Sequence, residues 1–256
     1  MDFFMGGLEP WAFWLAVAVT LFGGFVKGAV GFAMPMIMIS GFGSFMPAEL
    51  ALAALILPTL VTNISQAFRQ GPAAAWHSVV AYRRMIAMIA LFIIVSAQFV
   101  LMIPAAAMYM ILGVPIVLFA VTQLMGRNLR FRVEHRARAE YMTGIIGGLY
   151  GGISGVWGPP VLVYLISIGA EKAETVRVQG VIFLIGAVVL LLAHLQSGVM
   201  NAVTVPFSAL LVVPGMLGLW LGYGVQDRLD ALRFRRWTLV VLALTGLNLI
   251  RRALEI

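Results

Sequence analysis

Long stretches without a charge constrain this chain more than anything else in it. Residues 50–68, 85–126, 141–170 and 178–226 contain no Asp, Glu, Lys or Arg, and residues 10–48 contain only Lys27. An α-helix of about 20 apolar residues crosses the hydrocarbon core of a bilayer, so these stretches hold several crossings. Charged residues make up 11% of the chain and hydrophobic ones 62%, whereas a soluble domain carries about 25% charged residues. Nothing is left for a solvated shell. The expected class is an all-α, polytopic membrane protein, because the alternating pattern of a membrane β-barrel is absent.

The charges gather between the apolar stretches. Arg69, His77, Arg83 and Arg84 form one patch. Arg127 to Glu140 forms the most polar one, with five arginines against two glutamates. Glu171, Lys172, Glu174 and Arg177 form a third, and Asp227, Arg228, Asp230, Arg233, Arg235 and Arg236 a fourth. Basic loops kept in the cytoplasm account for the net charge of +7 without a nucleic-acid partner. The N-terminus, with Asp2 and Glu9, lacks the basic region of a cleaved signal peptide and reads as the start of the mature protein. With no cysteine in the chain, disulfides, thiol catalysis and cysteine-held metal are excluded.

Eight hydrophobic segments result, four in each half: a first repeat over residues 1–126, a basic cytoplasmic linker at 127–140, and a second repeat over 141–256. The two uncharged pairs turn near Pro104 and near Gln196-Ser197-Gly198, and the last segment is short, Trp237 to Ile250. Each half opens with the same irregularity. GGFVKGAVGFAMPM (Gly23 to Met36) and GGLYGGISGVWGPP (Gly147 to Pro160) align without a gap at an offset of 124 residues. Gly23/Gly147, Gly24/Gly148, Gly28/Gly152, Gly31/Gly155 and Pro35/Pro159 coincide. A helix break at corresponding positions of two halves is the best pointer in a sequence to a transport site.

The breaks also bear on topology. If all eight segments cross, the basic 7–8 loop falls opposite the basic 2–3 and 4–5 loops, against the positive-inside tendency. If each broken segment instead doubles back, in pieces 11–26 and 29–46 and then 141–154 and 157–169, the halves become inverted. The 2–3, 4–5, 5–6 and 7–8 loops then share one face. Arg251-Arg252 is the exception and lies outside with Glu255. Fully spanning, kinked helices in parallel repeats are the alternative.

Glycines at small-xxx-small spacing, Gly24/Gly28 and Gly147/Gly151/Gly155, fit close helix packing. The prolines that follow fit unwinding instead, since proline frees a carbonyl upstream. Unwound backbone at membrane depth lines a cavity or is buried in protein, and helices that start there direct N–H groups at an anion. Lys27 costs at least about 2.5 kcal/mol at mid-bilayer, so it faces a cavity, pairs with Glu49, or snorkels to a headgroup. Its repeat counterpart is Gly151, which makes a site with one cation. Ser154 and Trp157 add a hydroxyl and an indole donor, although a lone tryptophan also fits an interface or a core. Thr59, Thr62, Asn63 and Gln66 share one helix face, for interhelical hydrogen bonds or for the substrate path, with Gln179 as a weak counterpart. Arg69 and Arg177 read as cytoplasmic anchors. His194 serves a proton relay or a structural role.

No Walker loop, HExxH, GxSxG or paired intramembrane carboxylate occurs. A catalytic site, a cofactor and a metal are therefore not expected, and transport would run on a gradient.

In these glycine segments, in Gly148–Pro160, and in the Ala48-Glu49 and Ala173-Glu174 helix starts, the chain resembles the TauE/SafE family, the sulfite exporter or sulfonate permease family. The resemblance covers nearly the whole chain. It implies a bacterial inner-membrane protein that moves sulfite, sulfonates or related anions. Carried over by position, it points to Gly24, Lys27, Gly28, Gly31, Gly148, Gly152, Ser154 and Gly155. The substrate-binding set expected from residues and resemblance together adds Thr62, Asn63, Gln66 and Trp157. The leading expectation is a secondary transporter for a small sulfur-containing anion, with a proton or sodium ion as candidate coupling ion and an oligomer left open. An uncoupled anion channel and a non-transporting scaffold subunit are the alternatives.

Overall fold

The computed structural model describes residues 6–126, 133–225 and 231–255. Asp2, most of the polar stretch that opens the linker (127–132) and the loop charges Asp227, Arg228 and Asp230 lie outside the described residues. The described chain folds into α1 (Pro10–Val30), α2 (Met34–Phe42), α3 (Ala48–Ala67), α4 (Pro72–Ala81), α5 (Arg83–Ala97), α6 (Ala105–Leu124), α7 (Arg136–Ser154), α8 (Gly158–Ser167), α9 (Lys172–Ser197), α10 (Thr204–Leu210), α11 (Val212–Val225) and α12 (Ala231–Glu255). Seven stretches within these are long and apolar enough to cross a membrane, and α8 is a shorter apolar helix. Leu118, Leu192, Leu221 and Leu244 point outward among many exposed large apolar side chains. Such a surface is stable only in lipid. The protein is an all-α polytopic membrane protein.

Proline and glycine set the boundaries. Pro10, Pro35, Pro72 and Pro159 stand in the first turn of α1, α2, α4 and α8, where the missing N–H costs nothing. Gly31, Gly155 and Gly198 end α1, α7 and α9 in the left-handed region. Inside α3, Pro58 leaves the carbonyl of Ala54 without its helical donor, and the Ser208 hydroxyl of α10 donates to it at 3.1 Å.

The first break lies further along than the spacing suggests. Helix α1 runs through Gly23, Gly24 and Gly28 and stops only at Gly31, so the expected pieces 11–26 and 29–46 are corrected to Pro10–Val30 and Met34–Phe42. Glycine stays helical at 24 and 28 because another helix packs against it there. The second break falls where expected, between Ser154 and Gly158. The last helix is longer than Trp237 to Ile250. It holds 25 residues, because Arg and Leu keep good helix propensity beyond the apolar band.

Both broken segments double back. Val19 meets Gly41 while Gly23 meets Met34 and Met38, so α2 returns antiparallel along α1. Gly147 and Gly151 meet Trp157, and the Tyr164 hydroxyl donates to Glu140 at 3.1 Å, so α8 returns along α7. Helices α3 and α9 cross the centre of the bundle in opposite senses, with Asn63 against Phe183 and Gln66 against Val176. Helix α1 lies parallel to α11 through Gly24/Gly215 and Gly28/Leu219, and α7 lies parallel to α5 through Gly144/Met85 and Gly152/Ile93. Helices α6 and α12 pair antiparallel at Gly113 and Gly246.

These directions sort the connections by charge. The stretches after α3, α6, α8 and α11 start at one end of the bundle, which is the end of every internal charged patch in the sequence. At that end the Tyr82 hydroxyl donates to Glu174 at 2.8 Å. Burial, and then that bond to a carboxylate, pushes the phenol above its ordinary range. The turns at 43–47, 98–104 and 198–203 gather at the other end and carry no charge.

Candidate functional site at two facing helix breaks

The two breaks enter the bundle from opposite ends and meet. Phe32, Ala33, Pro35 and Met36 of the first and Gly155 to Gly158 of the second line one cavity, closed by Thr59 and Asn63 of α3 and Phe183 of α9. Its volume is about 20 Å³, room for about one water molecule.

The polar face of α3 organises the first break. Lys27 is 2% exposed. Its ammonium donates to Thr62 Oγ1 at 2.9 Å and to Asn63 Oδ1. Thr62 in turn donates to the Pro58 carbonyl at 2.7 Å. Asn63 Nδ2 donates to the Phe183 carbonyl at 2.9 Å, which fixes the amide orientation and joins α3 to α9. Gln66 Nε2 donates to the Gly31 carbonyl at 2.8 Å, so it caps the C-terminus of α1 at the break. Lys27 therefore neither snorkels nor pairs with Glu49. Its ammonium stands one layer behind the cavity, next to Asn63, which lines it. Among the described residues no carboxylate pairs with it.

The second break is closed differently. The Ser154 hydroxyl donates to the Tyr150 carbonyl at 2.7 Å and accepts from the Val156 N–H at 3.0 Å. This locks the turn after Gly155. Trp157 is buried with the Nε1 edge of its indole against Gly186 and its ring nearly perpendicular to that of Phe183. Four buried groups at or near the breaks lack a hydrogen-bond partner among the described residues: Thr59 Oγ1, Gln66 Oε1, Trp157 Nε1 and Gln179 Nε2. An unmade hydrogen bond at a buried donor costs about 1–3 kcal/mol, so such groups mark a place where a polar guest is accommodated.

The expected site residues divide into two groups. Lys27, Gly31, Thr62, Asn63, Gln66, Ser154, Gly155 and Trp157 build the breaks. Gly24 and Gly28 do not reach the cavity: a Cβ at either would overlap the backbone of α11 at Gly215 or Leu219. Gly148 and Gly152 likewise seat α7 on α5, where a Cβ at Gly148 would come within 2.8 Å of the Ile89 carbonyl. Small-xxx-small packing is what these four positions do. The partner glycines on α11 escaped the sequence reading, although Gly218 and Gly222 carry the same spacing and press on Leu21 and Phe25. Helix N-termini also contribute less than expected, since Pro159 and Pro160 remove two N–H groups from the first turn of α8. His194 Nε2–H donates to the Gly152 carbonyl at 2.8 Å and Nδ1 bonds the Ser197 hydroxyl at 3.1 Å, so both ring nitrogens are engaged.

Two broken helical hairpins that enter a membrane bundle from opposite ends and meet over buried polar groups are an arrangement that surrounds the substrate site in many membrane transporters. Residues 16–249 match the family model described as sulfite exporter TauE/SafE. The chain belongs to this family. No curated protein and no solved structure matches it.

Proposed function

We infer that the protein is a secondary transporter that carries a small sulfur-containing anion, such as sulfite or a sulfonate, across the bacterial inner membrane. The two halves, 1–126 and 141–256, act as inverted repeats around the cavity between the breaks. The end that collects the basic loops faces the cytoplasm. The family description supports the substrate class.

One observation carries the reading. Lys27 is a buried lysine that no carboxylate among the described residues pairs with, held by Thr62 and Asn63 next to a cavity lined by Thr59, whose hydroxyl has no partner among the described residues. Burying a lone charge is expensive, and an anion in the cavity offsets that cost. Asn63 and Thr59 contact the anion, Lys27 neutralises it from behind Asn63, and Trp157 donates once its indole turns away from Gly186. The present cavity is too small for sulfite, so the hairpins part when the anion enters. A cavity that must widen before the anion enters favours alternating access over an open anion channel.

Sulfite flux into proteoliposomes tests this. Lys27→Met keeps the length of the side chain and removes the charge. It should lower flux at least about tenfold, the factor that one lost charge-assisted contact of ~1.4 kcal/mol produces. Unchanged flux and an unchanged thermal shift with sulfite would take Lys27 out of the site.

A further inference from the structure

The two hairpins are not held alike. Helix α2 packs against α12: the hydroxyls of Ser40 and Thr245 lie 3.0 Å apart, and Leu249 fills the space left by the missing side chain of Gly43. Its counterpart α8 makes no comparable packing against α6 among the described residues. A groove of about 660 Å³ lies there instead, between Leu118 and Phe119 of α6, Ile146 and Tyr150 of α7, and Pro159 and Val163 of α8. It shares Met36 and Val156 with the cavity between the breaks. It runs from there toward the end that bears the basic loops. The sequence offers no reason for the difference, since α6 and α12 are both long apolar helices paired through Gly113 and Gly246.

At the opposite end Arg252 fastens the closed side, beside a Tyr109 hydroxyl that donates to the Met46 carbonyl at 3.4 Å. Arg252 is half-buried, and its guanidinium donates to the carbonyl of Gly43 and, at 3.2 Å, to that of Met46. These carbonyls follow the C-terminus of α2, where a cation is favoured. The same guanidinium lies 4.6 Å over the ring of Tyr109 on α6. Arg252 thus ties α12, α6 and the turn after α2 together. Arg251, beside it, bonds Asn248 and exposed Glu255 on its own helix. Arg252 is also one of the two cations, with Arg251, that break the charge rule by lying at the end without basic loops.

We propose that α6 and α12 move as one gate between the two hairpins, and that Arg252 is the latch that holds this gate on the first hairpin, closing the outer route. In this conformer the outer side is sealed by α2 against α12, and the apolar groove beside α8, with Leu118 at its lipid-facing rim, is the space into which the pair moves. The opposite state transfers the pair to α8: the groove closes, Arg252 leaves Gly43 and Met46, and a matching groove opens between α12 and α2. This rests on the transporter reading above for its orientation and purpose.

Accessibility tests the gate without any substrate, and the absence of cysteine from the chain leaves an introduced thiol unambiguous. Ser40→Cys places a thiol under the latch, fully buried at present. A membrane-impermeant maleimide added outside proteoliposomes of known orientation should label it about tenfold faster in Arg252→Ala than with Arg252 present, the shift expected from losing one hydrogen bond of a charged donor. Arg252→Lys should fall between the two. Equal rates with and without Arg252, or labelling only from the inside, would overturn the latch. Should Arg252→Ala fail to fold, the pair Ser40→Cys with Thr245→Cys decides in the otherwise native chain. Oxidation should stop the flux of a sulfonate, which unlike sulfite does not cleave a disulfide, and reductant should restore it, whereas a crosslinked protein that carries the sulfonate at least as fast as the reduced protein overturns the gate. Latch-dependent labelling without sulfite flux in any variant would keep the gate and remove the anion.

Discussion

The two broken hairpins perform one operation with opposite side-chain choices. At the offset of 124 residues, Lys27 corresponds to Gly151 and Ala33 to Trp157. In the first hairpin the long side chain stands on the helix before the break and the small one in the turn. In the second this is reversed, and the vacancy at Gly151 admits the indole of Trp157, whose Cε3 would lie 2.7 Å from a Cβ there. Each hairpin fills its elbow once, with a charge in one case and a donor-bearing ring in the other. The glycines around them do the same job in both halves: Gly24 and Gly28 seat α1 on α11 as Gly148 and Gly152 seat α7 on α5. The halves therefore share their scaffold and differ at the elbow, which is how one site acquires a single cation and two kinds of donor.

The strongest attempt to break this equivalence is a pair of leucines. Gly28→Leu and Gly152→Leu each force a branched side chain into the backbone of a neighbouring helix and should cost about 3 kcal/mol or more. Size-exclusion profiles in detergent should show loss of the folded monodisperse species in both. Tolerance of one but not the other would show that the two seats are unequal.

A smaller effect separates the turns themselves. The first uses two left-handed residues, Gly31 and the non-glycine Ala33 (φ 79°), and the second uses only Gly155. Left-handed geometry costs an L-residue about 1–2 kcal/mol. Gly31→Ala should thus lower thermal stability by about that amount and Gly155→Ala by more, because its Cβ would come within 2.6 Å of Leu55, while Ala33→Gly should raise it by up to about 1 kcal/mol. A destabilised Ala33→Gly would mean that the methyl group of Ala33, buried in the cavity wall, matters more than its strain.

The smallest expected change concerns the unpartnered groups. Thr59→Val removes a buried hydroxyl without a hydrogen bond and should leave stability unchanged or raise it by about 1 kcal/mol. Trp157→Phe should behave alike, with some loss of packed volume. Both should weaken the thermal shift produced by sulfite, Thr59→Val the more, because Thr59 already lines the cavity. Stability and ligand response moving in opposite directions is the signature of a polar group kept for a guest.

Much of this was legible in the residues. Uncharged runs gave the helices, the basic loops gave the common end, and the paired Gly–Pro segments gave the breaks. The second break was placed correctly because Gly155 and the two prolines after Trp157 leave the chain few other options. The first was misplaced because glycine has two uses. At Gly24 and Gly28 the absence of a side chain serves the approach of α11, and at Gly31 it serves a left-handed turn, and nothing local distinguishes them. Arg252 shows the same limit: it stood out only as an exception to the charge rule, and its carbonyl partners lie on the turn after α2, at the far end of the sequence.

By itself, then, the sequence determined that the chain spans a membrane as helices, that each half begins with an interrupted segment, and that a lone lysine sits in the first of them. Those properties follow from hydropathy, from proline's missing donor and from glycine's free backbone, all of which act within a few residues. Only the tertiary structure decided that the two breaks face one another, that Lys27 is held by Thr62 and Asn63, that four of the glycines are seats for other helices, and that α6 and α12 rest on one hairpin and stand off the other. Each of these depends on contacts between segments distant in the chain, and in a bilayer, where no hydrophobic force distinguishes one apolar helix from another, shape and the few polar groups choose the partner.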